Sequence, residues 1–351
     1  AKEVADYLLG VSRVLAETRP EADTPVLRER FGELLADRDA LSRTELLRIA
    51  DSTGDEDMKR LAREYLPLTF SRRHGDPSRP WNRFHIDIVD ESGEQKLAYE
   101  GNWRDIFQNW EALGFSYPEF LQSFICRFLN ASTIDGYNPY RISQDGFDWE
   151  VLDPHDDWSN IGYWGDHQVV YLLRLMQWSR RFFPGQISRC LDQKMFVYAD
   201  VPYRIKPYRE LLLDPRDSIG YDTERDRELA ARAGEIGSDG KLLTLADGAT
   251  VRANLLEKLL VTALCKLGNF VPGGGIWMNT QRPEWNDANN ALAGYGLSMV
   301  TVAYLRRFLA FLAELVSEAD ESSWEVAKEV ADYLLGVSRV LAETRPEADT
   351  P

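Results

Sequence analysis

Amphipathic helical segments separated by long polar loops dominate this chain of 351 residues. Apolar residues recur at helical spacing in SRTELLRIAD, where Ser42 is the expected N-cap, in ISRCLDQKMFVYA (187–199), and in the stretch that begins at Ala291. The segments come in pairs, and the long loops occur at one kind of connection. A single-layer bundle favours short connections. The pattern therefore predicts a mainly α fold, a toroid of helical hairpins whose loops form a cleft at one rim.

We expect one domain over residues 1–351, with two regions outside the regular helical pattern. Residues 68–100 combine an irregular loop with a β-hairpin near 84–99, because FHIDIVD and QKLAYEG alternate apolar and polar residues around the turn ESGE. Residues 201–250 are charged and variable in character, which indicates an excursion from the helical scaffold.

Residues 327–351 repeat residues 1–25 without a single change. Divergent structural repeats do not stay identical over such a length while nothing else repeats, so the copy indicates an overlap in sequence assembly or a tandem or permuted arrangement. Both copies have an amphipathic helix pattern, and we expect Pro20 and Pro346 to end the two helices. Because one groove holds one helix, we predict that the two copies have different surroundings.

Composition restricts the location and partners of the protein. The net charge of −16 argues against a nucleic-acid partner. No apolar run approaches the roughly 18 residues that span a bilayer, so no membrane partner is expected. The cysteines, Cys126, Cys190 and Cys265, lie far apart in apolar settings, which indicates free thiols in a reducing, cytoplasmic compartment. An oligomer is possible.

The stretch 272–296 is rich in groups that bind sugars. It places Trp277 and Trp285 beside acids and amides, and a glycine-rich turn precedes it. Sugar hydroxyls pair with planar polar groups, while sugar C–H faces stack on aromatic rings. The alternative is a polar loop whose Asn and Asp side chains cap the next helix.

Three short motifs resemble those of the six-hairpin glycosidases, and within them the cellobiose and chitobiose phosphorylases. GNWRDIFQ (101–108) is similar to the family's Gly-x-x-Arg-Asp-x-x-Gln segment, YWGDHQVVYL (163–172) to an aromatic-acid segment, and EWNDA (284–288) to Asp-Trp-Asn-Asp-Gly. The resemblance implies an (α/α)6 barrel acting on a disaccharide or oligosaccharide, with no cofactor except inorganic phosphate as a possible co-substrate. It also implies that Glu284 is the proton donor.

Glycosidic cleavage needs an acid on one side of the bond and a base, nucleophile or anion on the other. Trp285 would exclude water and raise the pKa of Glu284. Asp287 is the alternative acid, although it also fits an N-cap. The candidate opposing carboxylates are Asp148, Glu150 and Asp166. The loop acids could instead bind calcium, but their spacing does not match an EF-hand, and we predict no metal.

The remaining candidates bind substrate or anions. Those expected to contact the sugar are Trp103, Arg104, Asp105, Tyr137, Arg141, Trp149, Tyr163, Trp164, His167, Trp277, Arg282, Trp285 and Asn286. Those expected to bind phosphate or an acidic sugar are Arg72, Arg73, His74 and Arg79, unless this basic loop only neutralises nearby acids.

We therefore expect an enzyme, a glycoside hydrolase or phosphorylase that cleaves by inversion, with water or phosphate as acceptor. The alternatives are a non-catalytic sugar-binding protein and a sugar isomerase. Arg104, Asp105, Trp149, Tyr163, Asp166, Trp277, Glu284 and Trp285 should converge on one concave surface. For water-mediated inversion, the acid and the opposing carboxylate should lie roughly 6.5–9.5 Å apart.

Overall fold

The computed structural model describes residues 3–4, 7, 40–70, 72–74, 89–95, 97–139, 141–149, 155, 168–279, 294–319 and 323–348. Within these ranges the fold is mainly helical, as predicted. The helices are α1 (Arg43–Thr53), α2 (Glu56–Glu64), α3 (Trp103–Ser116), α4 (Leu121–Asn130), α5 (Gln168–Phe182), α6 (Tyr208–Leu213), α7 (Thr223–Ile236), α8 (Leu255–Leu267), α9 (Met299–Glu318) and α10 (Lys328–Ala348).

Short strands connect the helices. They are β1 (Arg72–His74), β2 (Tyr99–Asn102), β3 (Arg141–Ser143), β4 (Gly146–Asp148), β5 (Phe196–Val197), β6 (Tyr203–Ile205), β7 (Ile219–Tyr221), β8 (Arg252–Ala253), β9 (Phe270–Val271), β10 (Gly275–Trp277) and β11 (Leu297–Ser298).

Side-chain caps start several of the helices. Ser42 and Glu45 form a capping box at α1, which confirms the predicted N-cap. Asn254 accepts a hydrogen bond from the amide of Glu257 at the start of α8, and Ser298 accepts one from Thr301 at the start of α9. Because these caps satisfy amides that the helix itself leaves unpaired, they fix where each helix begins.

An aromatic cluster between α3 and α4 forms the centre of the main core. Trp103, Trp110 and Phe128 are at most 1% exposed. The rings of Trp110 and Phe124 stack with centroids 5.2 Å apart, and Trp103 meets Phe128 edge to face at 5.3 Å. Burial of such large rings contributes the largest apolar areas available to a core. This cluster therefore holds α3, whose first turn carries Arg104 and Asp105, in a fixed position.

A four-stranded sheet in the order β1-β2-β3-β4 packs beside this core. Strand β1 pairs with β2 in parallel, and His74 lies opposite Gly101. The β2–β3 and β3–β4 pairs are antiparallel, with Asn102 opposite Arg141 and Arg141 opposite Asp148. The sheet thus joins segments that lie far apart in the sequence.

The structure corrects several local predictions. Residues 187–199 are not an α-helix, because Ser188–Cys190 form a 3₁₀ turn and β5 follows, with the amide of Val197 donating to Asn130 Oδ1 at 3.0 Å. The helix predicted to begin at Ala291 is α9, which begins at Met299 instead, because Leu297 and Ser298 pair with β10.

The predicted hairpin at 84–99 is also different. Val89 and Gln95 form one antiparallel bridge around a turn that Asp90 stabilises, while Tyr99 belongs to the four-stranded sheet. Residues 75–88 lie outside the described part of the chain. Part of the predicted polar loop after Asn130 instead forms the β3–β4 hairpin.

The two identical segments have different surroundings at the positions that can be compared. In the first copy only Glu3, Val4 and Tyr7 are described; Val4 is 5% exposed and packs with Ile49 of α1. In the second copy Val330, the counterpart of Val4, is only partly buried, and Tyr333, the counterpart of Tyr7, is 46% exposed. Helix α10 ends at Ala348, two residues beyond the proline that was expected to end it. None of the helices in the described ranges has the length and apolarity required to cross a bilayer.

Candidate functional site

One edge of the four-stranded sheet gathers four segments that carry predicted site residues. The parallel strands β1 and β2 end there, at His74 and Asn102. The antiparallel neighbour β3 begins there at Arg141, and β4 ends there at Asp148. We call these four positions the sheet edge. Neighbouring strands lie about 4.8 Å apart, so the four backbone segments span roughly 15 Å.

Charged side chains link the strands at the sheet edge. Arg141 contacts Glu100 Oε1 at 2.9 Å and Asp148 Oδ2 at 3.3 Å. The Nζ of Lys241, which follows α7, contacts the other oxygen of Asp148. The carboxylate of Asp148 is therefore shared by two cations, whereas a general base needs a carboxylate oxygen that can accept a proton from water. This geometry favours a binding role for Asp148 over the catalytic role we expected.

Trp149 follows Asp148 directly and is held by the excursion 201–250. Its Nε1 donates to Asp226 Oδ1 at 2.8 Å, and Lys241 Nζ lies 5.0 Å from the centre of its ring. Burial and the neighbouring acid Asp226 raise the pKa of the Tyr221 hydroxyl. The hydrogen bond at Nε1 thus fixes the orientation of the indole ring, and Trp149 remains partly exposed.

Tyr137 connects the loop that leads to β3 with the tryptophan-rich stretch 272–296. Its hydroxyl lies 3.1 Å from Asn279 Oδ1, and Lys266 Nζ lies 4.3 Å from the centre of its ring. Tyr137 is 4% exposed, and burial raises the pKa of its hydroxyl well above the usual value. We expected Tyr137 to contact sugar, but in the structure it is a buried link. This link brings residue 279, five positions before Glu284, to the loop beside the sheet edge.

Trp277 lies at the start of the predicted sugar-binding stretch and is partly exposed. Its Nε1 donates to the carbonyl of Gly294 at 2.8 Å, and its ring centre lies 6.5 Å from that of Tyr208. Gly294 has a φ of +77°, and a Cβ there would lie 1.9 Å from the carbonyl oxygen of Pro215. Only glycine therefore allows this loop to approach the excursion closely.

Two tyrosines that we did not predict stand beside Trp277. Tyr208 is 64% exposed and Tyr295 is 61% exposed, and the Arg216 guanidinium lies 5.3 Å from the centre of the Tyr295 ring. We call Tyr208, Trp277 and Tyr295 the aromatic patch. The sequence contained only the aromatic residues themselves as a signal, since α6 is short and its exposure depends on packing with distant segments.

The β6–β7 pair connects the aromatic patch with the surroundings of Trp149. At one end Tyr203 pairs with Tyr221, near the contact between Trp149 and Asp226; at the other end Ile205 pairs with Ile219, and α6 carries Tyr208. Three paired residues span about 7 Å. The excursion 201–250 therefore bridges two of the expected sugar-binding tryptophans rather than extending away from the scaffold.

The other predicted site residues divide into three groups. Trp103 is 1% exposed and belongs to the aromatic core, so its ring is not available for sugar stacking. The backbone alone is described for Arg72, Arg73, His74, Arg104 and Asp105. The residues outside the described ranges are Arg79, Glu150, Tyr163, Trp164, Asp166, His167, Arg282, Glu284, Trp285, Asn286 and Asp287.

Comparisons with known proteins assign the chain to no family. No protein-family model matches the sequence, and no curated protein is significantly similar to it. Within the described ranges, no three side chains of histidine, cysteine, aspartate or glutamate lie together as a metal site.

Proposed function

We propose that this chain is a carbohydrate-active enzyme that cleaves a glycosidic bond with inversion, on an (α/α)6 toroid. The observation that supports this proposal is the convergence at the sheet edge. Three segments separated by up to roughly 70 residues, around His74, Asn102 and Arg141 to Trp149, meet at one edge. Tyr137 ties the stretch that contains Glu284 to the same region.

In the proposed reaction Glu284 protonates the leaving oxygen, and the sugar binds between polar groups and tryptophan faces. Trp149 and the aromatic patch would supply the stacking surfaces, since both remain partly or largely exposed. Arg141 and Asp148 would hold sugar hydroxyls, because their charged groups are already fixed by ion pairs. Glu150 and Asp166 are the remaining candidates for a general base, and Asp287 is the alternative acid.

Phosphate is the acceptor that the sheet topology favours. Strand β1 places Arg72, Arg73 and His74 beside β2. Arginine binds phosphate through two parallel hydrogen bonds, so a basic strand at this edge suits an attacking anion. Under this mechanism the base is unnecessary. Under hydrolysis, Glu150 or Asp166 would activate water about 6.5–9.5 Å from the acid.

The first experiment compares the wild-type protein with Glu284→Gln on a panel of disaccharides, with and without phosphate, and measures released monosaccharide and sugar phosphate. General acid catalysis typically contributes 10²–10⁴-fold, so we expect turnover to fall by about that factor while sugar binding persists. Asp247→Asn, a change in an exposed loop carboxylate, is the control and should leave turnover unchanged. Equal turnover in wild type and Glu284→Gln would remove Glu284 from the mechanism.

The second candidate is a sugar-binding protein without catalysis. The exposed aromatic patch favours it, because stacking surfaces alone are sufficient to bind sugars. This candidate predicts that the panel produces saturable sugar binding and no released product. A Tyr208→Ala variant should then weaken binding, while Glu284→Gln changes neither readout.

A further inference from the structure

A groove of about 880 Å³ lies between α5 and α9, lined by an unusual number of cations for an acidic protein. We call it the arginine groove. Five arginines line it: Arg174, Arg180 and Arg181 from α5, and Arg306 and Arg307 from α9. Its volume is within the range of small-molecule sites.

Two of these five arginines are ion-paired. Arg174 Nη2 lies 2.6 Å from Glu111 Oε1, and the resulting hydrogen bond raises the pKa of Arg174. Arg180 contacts Glu314, which also lines the groove, and Glu318. These ion pairs explain why Arg174 and Arg180 lie in the groove. They do not explain the other three arginines.

Arg181, Arg306 and Arg307 make no ion pair with a carboxylate in the part of the chain that the structure describes, and all three are exposed. The guanidinium of Arg181 lies 5.6 Å from the centre of the Trp178 ring, and that of Arg307 lies 5.0 Å from the Tyr304 ring. A guanidinium against an aromatic ring is held in place by the ring quadrupole, and its N–H groups can still donate to an anion.

Helix stability does not explain the pair on α9. Cations stabilise the carboxyl end of a helix, where Arg180 and Arg181 lie on α5. Arg306 and Arg307 lie in the first half of α9, which runs from Met299 to Glu318, where the helix dipole does not favour positive charge. The positive charges of these two adjacent arginines also repel each other. An anion between the two helices would offset both effects.

The walls of the groove indicate the chemistry of this anion. Trp178 is already packed against Phe115, with ring centres 4.1 Å apart, and against Arg181, so it offers little free surface for stacking a sugar or a base. Guanidinium groups approach from both helices, which suits the tetrahedral oxygens of phosphate better than the planar oxygens of one carboxylate. We propose that the arginine groove binds a small anion that carries several phosphate groups.

This inference does not rest on the proposed glycosidic activity, since it uses none of the residues at the sheet edge. The groove holds a small ligand rather than a nucleic acid, because its volume is limited and the chain carries a net charge of −16. The two sites can therefore be tested separately.

The test titrates tripolyphosphate into the full chain by calorimetry, at about 0.15 M salt so that weak surface attraction is screened. The variant Arg306→Gln/Arg307→Gln removes two cations from the groove. The matched control, Arg209→Gln/Arg339→Gln, removes two exposed arginines from α6 and α10. Loss of charged hydrogen bonds should weaken binding of the groove variant by at least about ten-fold, while the control stays within about two-fold of wild type.

Citrate and sulfate at equal ionic strength form the other arms, and both should bind at least about ten-fold more weakly than tripolyphosphate. Arg181→Gln alone should also weaken binding, which keeps the test valid if the double variant folds poorly. Citrate binding as tight as tripolyphosphate would overturn the phosphate class. Equal loss in groove and control variants, or no saturable binding of tripolyphosphate to the wild type, would overturn the site.

Discussion

Arg60 lies at the centre of a buried charge network that joins α2 to the turn after α7. It is 2% exposed and contacts Glu64 at 2.9 Å and Asp239 at 2.5 Å, with Asp57 at 3.6 Å. Burial lowers the pKa of Arg60, but three carboxylates outweigh this effect and raise it overall. Because three carboxylates share the positive charge of Arg60, this charge offsets only part of the cost of burying each of them.

Asp239 shows the consequence of this sharing, and it gives a pH-dependent prediction. Burial raises its pKa to about 6, although Arg60 opposes the shift. The folded state therefore binds this proton more tightly than the unfolded state, so the contribution of Asp239 to stability is complete below about pH 4 and is lost as the pH rises through 6. Relative to wild type, Asp239→Asn should gain roughly 2–3 kcal/mol of unfolding free energy between pH 4 and pH 7.

Urea denaturation of both proteins at several pH values measures this difference. The exposed Asp247→Asn variant is the control for the loss of a carboxylate elsewhere on the chain. A constant difference for Asp239→Asn would show that Asp239 is ionised in both states and fully compensated by Arg60.

Helix ends give the clearest prediction for single elements. Asn254 is 2% exposed and makes two contacts: its Oδ1 caps α8, and its Nδ2 donates to the carbonyl of Glu325 at 2.6 Å. Loss of the cap costs about 1 kcal/mol, and the unpaired carbonyl adds about 1–2 kcal/mol. We therefore expect Asn254→Ala to reduce the free energy of unfolding by about 2–3 kcal/mol, measured by chemical denaturation.

The matched control is Asp222, an exposed N-cap whose side chain accepts only from the amide of Arg225 among the hydrogen bonds of the described residues. Asp222→Ala should cost about 1 kcal/mol. Equal losses for the two variants would mean that the contact with Glu325 contributes nothing.

Local signals were sufficient for some elements and not for others. Ser42 predicted the start of α1 because a cap depends on residues three positions apart. The sheet was missed because strands of three or four residues show no clear alternation, and β2 pairs with partners about 30 and 40 residues away. Residues 187–199 have helical spacing, but the amide of Val197 pairs with the Asn130 side chain, a contact that no local pattern reveals.

For the candidate site, too, local sequence signals were sufficient for some residues and not for others. The sequence identified Trp149 and Trp277 by their residue types and neighbours, and the structure leaves both partly exposed. It could not distinguish them from Trp103, which is buried, because indoles suit cores and sugar surfaces equally. Tyr208 and Tyr295 were missed because their exposure depends on how the excursion packs near Trp277.

The duplicated segment allows a comparison across the whole molecule. Val4 and Val330 have identical neighbours in sequence, so helix propensity and unfolded-state effects cancel when the same change is made at both. Val4 is 5% exposed, whereas Val330 is only partly buried. Val4→Ala should cost about 2 kcal/mol and Val330→Ala less than about 1 kcal/mol, because only the first leaves a cavity in a closed cluster.

Thermal and chemical denaturation of the two single variants and the double variant measure these values. Val4 packs against α1 and α2, whereas α10 packs against α8, so the double variant should show the sum within about 0.5 kcal/mol. A larger loss at Val330 would indicate that the second copy, not the first, carries the apolar contacts.

The two identical segments also compete for one groove while the chain folds. Val4 lies about 45 residues from Ile49 in the groove, whereas Val330 lies about 280 residues from it. Closing the longer loop costs roughly 1.6 kcal/mol more entropy, so the near copy should capture the groove first about fifteen times in sixteen. In the remaining molecules the second copy would bind the groove first and would have to dissociate before folding is completed. We therefore expect a minor slow refolding phase, and deletion of either copy should abolish it.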